Sequence, residues 1–266
     1  MSLYSHLSIR MLYAGLPSLA FKRFLNTNTK PPNLQQYVES MTSCASSFPQ
    51  ALIEGLEAET RRQFEDAFKM VSIHQAHVIY SLTRMIRPQN VLEIGTFTGM
   101  STLSMAAGTN GNIITIERDA KPINIARMWL EQAKVADRVR IEEGVALDII
   151  KKLPTGASAP KFELIFIDAD KGNYINYFNQ IMSRSLLSDR GIILVDNVLF
   201  RGLVPKAMEN TFDPKDKNLM KTARKLHLFN QHVKDDPRVE QIILPLFDGL
   251  SIIQKKPKLS CVLSQV

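Results

Sequence analysis

Apolar and polar positions along this chain change their period in a regular order. From Leu34 to Ile86 the period is helical: Tyr37 to Ser43 predicts a short helix, and Phe48-Pro49 opens a second that runs through about Arg62. His74 to Ile86 predicts a third, with Ala76, Ile79, Leu82 and Ile86 on one face. Val91-Leu92-Glu93-Ile94 then predicts a buried strand, followed by a Gly-bearing turn and a helix over Thr102 to Ala107. Asn112 to Glu117, Arg138 to Glu142, Glu163 to Asp168 and Gly191 to Asp196 predict four further strands. Pro122 to Ala133 is helical, Gly144 to Lys151 reads as a turn and helix, and Leu219 to Val233 as a basic amphipathic helix. Val239 to Leu244 and Leu250 to Ile253 are separated only by Pro245 to Gly249, too little chain for a parallel crossover. As neighbours they must be antiparallel. Five βα units closed by a hairpin predict one α/β domain.

Length and composition agree with that picture. The 266 residues suffice for one substantial core, and 45% hydrophobic with 22% charged residues is ordinary globular usage. No apolar run reaches the length of a membrane span, so no membrane partner is expected. The two cysteines, Cys44 and Cys261, form neither a disulfide framework nor a zinc site, and suit a reducing, intracellular setting. The net charge of +7 is spread among acids, without a dense basic stripe interleaved with aromatics. It reads as a solvated basic surface rather than a nucleic-acid site.

The first 38 residues contain no Asp or Glu but carry Arg10, Lys22, Arg23 and Lys30 among many Ser and Leu residues. That balance fits a mitochondrial targeting peptide or an amphipathic segment packed on the domain or on a second subunit. The compartment therefore stands between cytoplasm and mitochondrial matrix. Pro31-Pro32 break the segment, giving a 1–33 extension and a catalytic domain over 34–266.

The candidate chemistry lies where strands end, as in any doubly wound sheet. After the first strand the pattern is Glu93-x-Gly95-x-x-x-Gly99, and a helix begins near Ser101. A dinucleotide fingerprint would place a second glycine two residues after Gly95. Its lack suits a nucleotide without a pyrophosphate, such as S-adenosylmethionine. Glu117 ends the second strand about twenty residues on, where an acid can accept from ribose hydroxyls. Asp168 and Asp196-Asn197 end the next two central strands. Two carboxylates and an amide oxygen make a hard site of the kind Mg²⁺ or another divalent cation takes. Lys171, three residues from Asp168, is a candidate general base, provided that burial or nearby positive charge depresses its ordinary pKa.

Together these residues resemble the cation-dependent class I O-methyltransferases of the caffeoyl-CoA O-methyltransferase type, more distantly catechol O-methyltransferase. The resemblance rests on Glu93-Ile94-Gly95-Thr96-Phe97-Thr98-Gly99, on Asp168-Ala169-Asp170-Lys171 with Tyr174, and on Asp196-Asn197-Val198-Leu199. Phe229-Asn230, Asp236-Pro237-Arg238 and Asp248-Gly249-Leu250 extend it, so that it runs from about Tyr37 to Lys256. It implies a Rossmann-like methyltransferase fold with a seven-stranded, mostly parallel sheet, and a homodimer. It implies Asp168, Asp196 and Asn197 as metal ligands, with Lys171 and Asp168 catalytic. Val71, Ser72, Glu93, Gly95, Ser101, Glu117, Ala146 and Asp168 would line the S-adenosylmethionine site. The implied acceptor is a small aromatic vicinal diol, one hydroxyl of which is methylated.

Three features depart from the family pattern. Phe200 and Arg201 stand where Trp is frequent, Lys69 replaces a usual Met, and the segment 201–218 is long and basic. Other classes remain open at this level. An NAD-binding oxidoreductase would need a different glycine spacing, and an RNA or protein methyltransferase would not need the Asp168–Asp196–Asn197 set. A non-catalytic binding protein on the same scaffold would have no use for Lys171.

Overall fold

The structure is a computed structural model that describes residues 34–43, 47–209 and 217–257. The expected 1–33 extension lies outside the described residues. The chain divides into Met1–Ser43 and Cys44–Val266, and the described part of the first unit holds the helix α1, Leu34–Met41.

The second unit is built on a seven-stranded sheet. Its strands are β1 (Asn90–Ile94), β2 (Asn112–Glu117), β3 (Val139–Glu143), β4 (Phe162–Ile167), β5 (Leu187–Val195), β6 (Val239–Leu244) and β7 (Leu250–Lys255). Their order across the sheet is β3-β2-β1-β4-β5-β7-β6. The first five are parallel, whereas β7 runs antiparallel to both β5 and β6. The closing hairpin thus has the expected sense, with β7 inserted between β5 and β6.

The apolar runs are continuous because both faces of the sheet are covered. Leu92, Ile94, Ile165, Ile167, Ile193 and Val195 point to one core, while Val91, Leu164, Phe166 and Leu194 point to the other. On the first face pack α6 (Ala146–Lys152), α7 (Tyr174–Ser183), α8 (Leu203–Glu209) and α9 (Lys217–Asp235). On the second pack α2 (Gln50–Gln63), α3 (Ile73–Ile86), α4 (Met100–Gly108) and α5 (Ala120–Gln132). The strand period of two therefore sorts neighbouring apolar residues into opposite cores.

Helix ends follow local chemistry. Ser72 caps α3 by accepting from the Gln75 N–H at 3.2 Å, and the helix closes on left-handed Arg87 just before Pro88. α4 opens at Gly99, whose φ of 92° favours glycine.

Three details go beyond the sequence expectations. The fourth crossover helix, to which the pattern gives no bounds, is α7; it buries Tyr174, Tyr177, Phe178, Ile181 and Met182 along one face. β5 begins at Leu187, four residues before Gly191, because Leu187 pairs with Phe162 ahead of a register shift. The long basic segment from 201 onward, to which the pattern assigns no element, contains α8, which buries Leu203, Val204 and Ala207.

Phe178 is fully buried and meets the His232 ring edge-on at 5.8 Å. Phe178→Ala should destabilise the fold by roughly 3–5 kcal/mol. Urea unfolding should show a lowered midpoint at unchanged slope; a shift under about 1 kcal/mol would contradict the packing described.

Candidate active site

Because β1, β4 and β5 are adjacent and parallel, their carboxyl ends place Gly95, Asp168 and Asp196-Asn197 side by side. The backbone stitches these ends together: Asp168 N–H donates to Ile94 O at 2.9 Å, and Asp196 N–H to Ile167 O at 3.0 Å. Gly95 has φ of 103°, and a Cβ on it would lie 2.0 Å from the Asp168 carbonyl oxygen. Only glycine lets the first strand turn this close to the fourth.

Above these ends opens a cavity of about 540 Å³. Of the predicted site residues, Val71, Gly95, Ser101, Glu117, Ala146, Asp168, Lys171 and Asn197 line it. Ser72 does not; it caps α3. Glu93 and Asp196 are buried behind the cavity wall, 0% and 2% exposed.

The nucleotide end is fixed by two acids acting on the backbone and on hydroxyls. Glu117 accepts from the Phe97 N–H at 2.8 Å, and from the N–H groups of Arg118 and Asp119. Its carboxylate is thereby oriented with lone pairs to spare for a ribose. Glu93 accepts from the hydroxyls of Ser101, Thr102 and Thr115, tying β1 to β2 and to the first turn of α4. Burial raises the Glu93 pKa to about 7, against the lowering effect of those three donors.

The other end holds the acid pair. Lys171 Nζ donates to Asp168 Oδ1 at 2.7 Å, and both side chains are mostly buried. Asp196 Oδ1 accepts from the Asn197 N–H at 2.7 Å, and Oδ2 from Gln75 Nε2 at 2.8 Å. Burial first, and the Asp168 carboxylate second, push the Asp196 pKa up to about 7. Asn197 is left-handed, with φ of 62°, a conformation asparagine tolerates well. Tyr174 donates its hydroxyl to the Asp196 carbonyl at 3.2 Å, and Asn230 Nδ2 donates to the Val198 carbonyl at 2.9 Å.

The pair fits a hard cation in its chemistry. Asp168 on the cavity wall and Asp196 buried just behind it, with Asn197 beside them and one ammonium as counter-charge, lack positive charge. Among the described residues no three His, Cys, Asp or Glu side chains are grouped to hold a metal ion, and the third group beside the two acids is the Asn197 amide.

Lys171 departs from the expectation in one respect. Burial works to lower its pKa, but the Tyr174 oxygen and the Asp168 carboxylate outweigh it, and the ammonium is held above its ordinary range. The ion pair with Asp168 is the reason. The expected depression therefore requires that Asp168 be engaged elsewhere.

Several residues on or behind the cavity wall carry no clear signal in the sequence. Asp170 accepts from Tyr177 and Asn173, and it and Tyr177 line the cavity; their one hint is the short spacing to Lys171 and Tyr174. Gln75 had no local signal, being 121 residues from the acid it touches. The departures Lys69, Phe200 and Arg201 all line the cavity, and Lys69 pairs with Asp66 at 2.5 Å.

A seven-stranded sheet with an inserted antiparallel β7, and a cavity at the carboxyl ends of β1, β2 and β4, define the fold class of the S-adenosylmethionine-dependent methyltransferases. Comparison with known proteins narrows the class. The sequence model of the O-methyltransferase family matches residues 42–256, and the chain belongs to that family. It is 32% identical over 188 residues to catechol O-methyltransferase domain-containing protein 1 of Mus musculus, covering 70% of this chain and 68% of that one. It is 31% identical over 190 residues to caffeoyl-CoA O-methyltransferase 1 of Eucalyptus globulus, covering 69% and 74%. The crystal structure of the Podospora anserina methyltransferase PaMTH1 bound to S-adenosylhomocysteine superposes with a TM-score of 0.75 at 31% identity. It covers 96% of this chain and all of that one. The protein is an S-adenosylmethionine-dependent O-methyltransferase.

Glu93 supplies a pH test. A carboxyl that binds its proton more tightly folded than unfolded loses stability as pH rises from its unfolded pKa near 4.5 through about 7. Wild-type stability should fall across that window by up to roughly 3 kcal/mol. Glu93→Gln should reduce the slope to the part that the raised Asp196 contributes in the same window, as read by denaturant unfolding at pH 5 and pH 8. Parallel slopes in the two proteins would show that Glu93 is not the titrating group.

Proposed function

We propose that this O-methyltransferase methylates one hydroxyl of a small aromatic vicinal diol, with a divalent cation held by Asp168, Asp196 and Asn197. The observation that carries this reading is the meeting of Asp168 and Lys171 on the cavity wall with the buried Asp196 behind them. The names of the catechol and caffeoyl-CoA relatives support the acceptor class.

In this reading the Gly95 turn and Glu117 hold the nucleoside, while Val71, Ser101 and Asp168 border the methionine part. Their contribution is orientation. Fixing the donor and acceptor in one geometry is worth roughly 7–11 kcal/mol in favourable cases, more than a general base supplies. When bound, the cation supplies positive charge that acidifies an adjacent hydroxyl and counters the Asp168 carboxylate. Lys171 Nζ, 2.7 Å from Asp168 in the structure, would act as the base in its neutral amine form, giving its own proton to solvent first and then taking the one released by the acceptor hydroxyl. Phe200 and Arg201 border the cavity on this side and shape what can enter.

A matched pair of acceptors tests the proposal: a vicinal diol and its monohydroxy analogue, compared by transfer of labelled methyl. The diol should turn over at least about 100-fold faster, because only it can offer two oxygens to one cation. Equal rates would overturn the diol reading. Lys171→Met should lower kcat by about 10²–10⁴ while leaving S-adenosylhomocysteine affinity unchanged; full activity in that variant would remove Lys171 from the chemistry.

A further inference from the structure

The Asp196 side chain is almost wholly enclosed, yet both its oxygens are spoken for by neutral donors. Oδ1 takes the N–H of Asn197, the next residue. Oδ2 takes Gln75 Nε2 at 2.8 Å, from a side chain that is itself only 7% exposed. Gln75 lies in the first turn of α3, where the Ser72 cap fixes its backbone N–H. The bond therefore joins the second face of the sheet to the end of β5 across 121 residues.

We infer that Gln75 is a positioning residue for Asp196: its amide sets the plane of that carboxylate, and hence the affinity of the site for a divalent cation. The inference rests on the cation reading of the Asp168–Asp196 pair given above. One donor per oxygen locks the carboxylate against rotation and leaves each oxygen lone pairs for a metal. The neutrality of glutamine matters as much as its reach. A lysine or arginine at position 75 would place a fixed positive charge against Asp196 and compete with a cation. A glutamate would repel Asp196 and offer it no hydrogen. An amide alone orients the acid without altering the charge of the site.

Gln75 does not line the cavity; its side-chain amide donates to Asp196 at 2.8 Å, through which it would act on the site. Partners of this kind typically change metal affinity by about 10- to 100-fold.

The test is Mn²⁺ binding to the full chain, followed by electron paramagnetic resonance, for wild type, Gln75→Met and Asp196→Ala. S-adenosylhomocysteine binding serves as the measure of a folded cavity. Gln75→Met preserves size but removes the donor; it should weaken Mn²⁺ binding about 10-fold or more with S-adenosylhomocysteine affinity unchanged. Should that variant fail to fold, Gln75→Asn carries the same test, since it keeps a buried amide but withdraws it beyond reach of Asp196. Mn²⁺ affinity equal to wild type in a folded Gln75 variant would overturn the inference alone. Wild-type affinity no greater than that of Asp196→Ala would overturn the cation reading, and this inference with it.

Discussion

The approach of β1 to β4 at their carboxyl ends governs the rest of this molecule. A side chain at Gly95 would collide with the Asp168 carbonyl, 2.0 Å from where its Cβ would stand. That contact turns the chain out of the sheet and starts α4, and so opens the nucleotide cavity. The β4–β5 register, with Ile167 opposite Val195, then sets Asp168 beside Asp196. One backbone contact and one strand register thus make the two halves of the site.

Two buried acids show how the fold manages charge near that contact. Glu93 and Asp196 are both enclosed, and burial raises both to about 7. Their surroundings differ in kind. Glu93 is satisfied by three hydroxyls from β2 and α4, a closed arrangement that binds the strand to its neighbours. Asp196 has one backbone N–H and one amide, and it faces another carboxylate. The first arrangement is complete and holds structure together. The second lacks positive charge and suits an incoming cation.

Much of this was legible in the chain. Strands β1, β2 and β4 read clearly because both faces of each bury apolar residues, whereas the edge strand β3 reads by alternation of Val139 and Ile141 with charged residues. The strand-end acids followed, since the chemistry of such sheets gathers there. Bounds for α7 and the presence of α8 were harder to see. α7 mixes Tyr, Ile and Asn, weak helix formers whose helicity depends on packing against the sheet. α8 has only two turns and takes its stability from Leu203, Val204 and Ala207 in the core. The Gln75–Asp196 contact and the Lys171–Asp168 ion pair are tertiary in effect: spacing can place residues near one another, but not show which of them a proton or a donor will favour.

We propose that the acid pair completes its charge with a divalent cation and that methyl transfer depends on that cation. Transfer of labelled methyl from S-adenosylmethionine to caffeic acid, caffeoyl-CoA and simple catechols, each with Mg²⁺ and with EDTA, tests it most directly. The account predicts transfer to at least one acceptor that vanishes in EDTA and returns when Mg²⁺ is restored. Transfer that proceeds at the same rate in EDTA would contradict it.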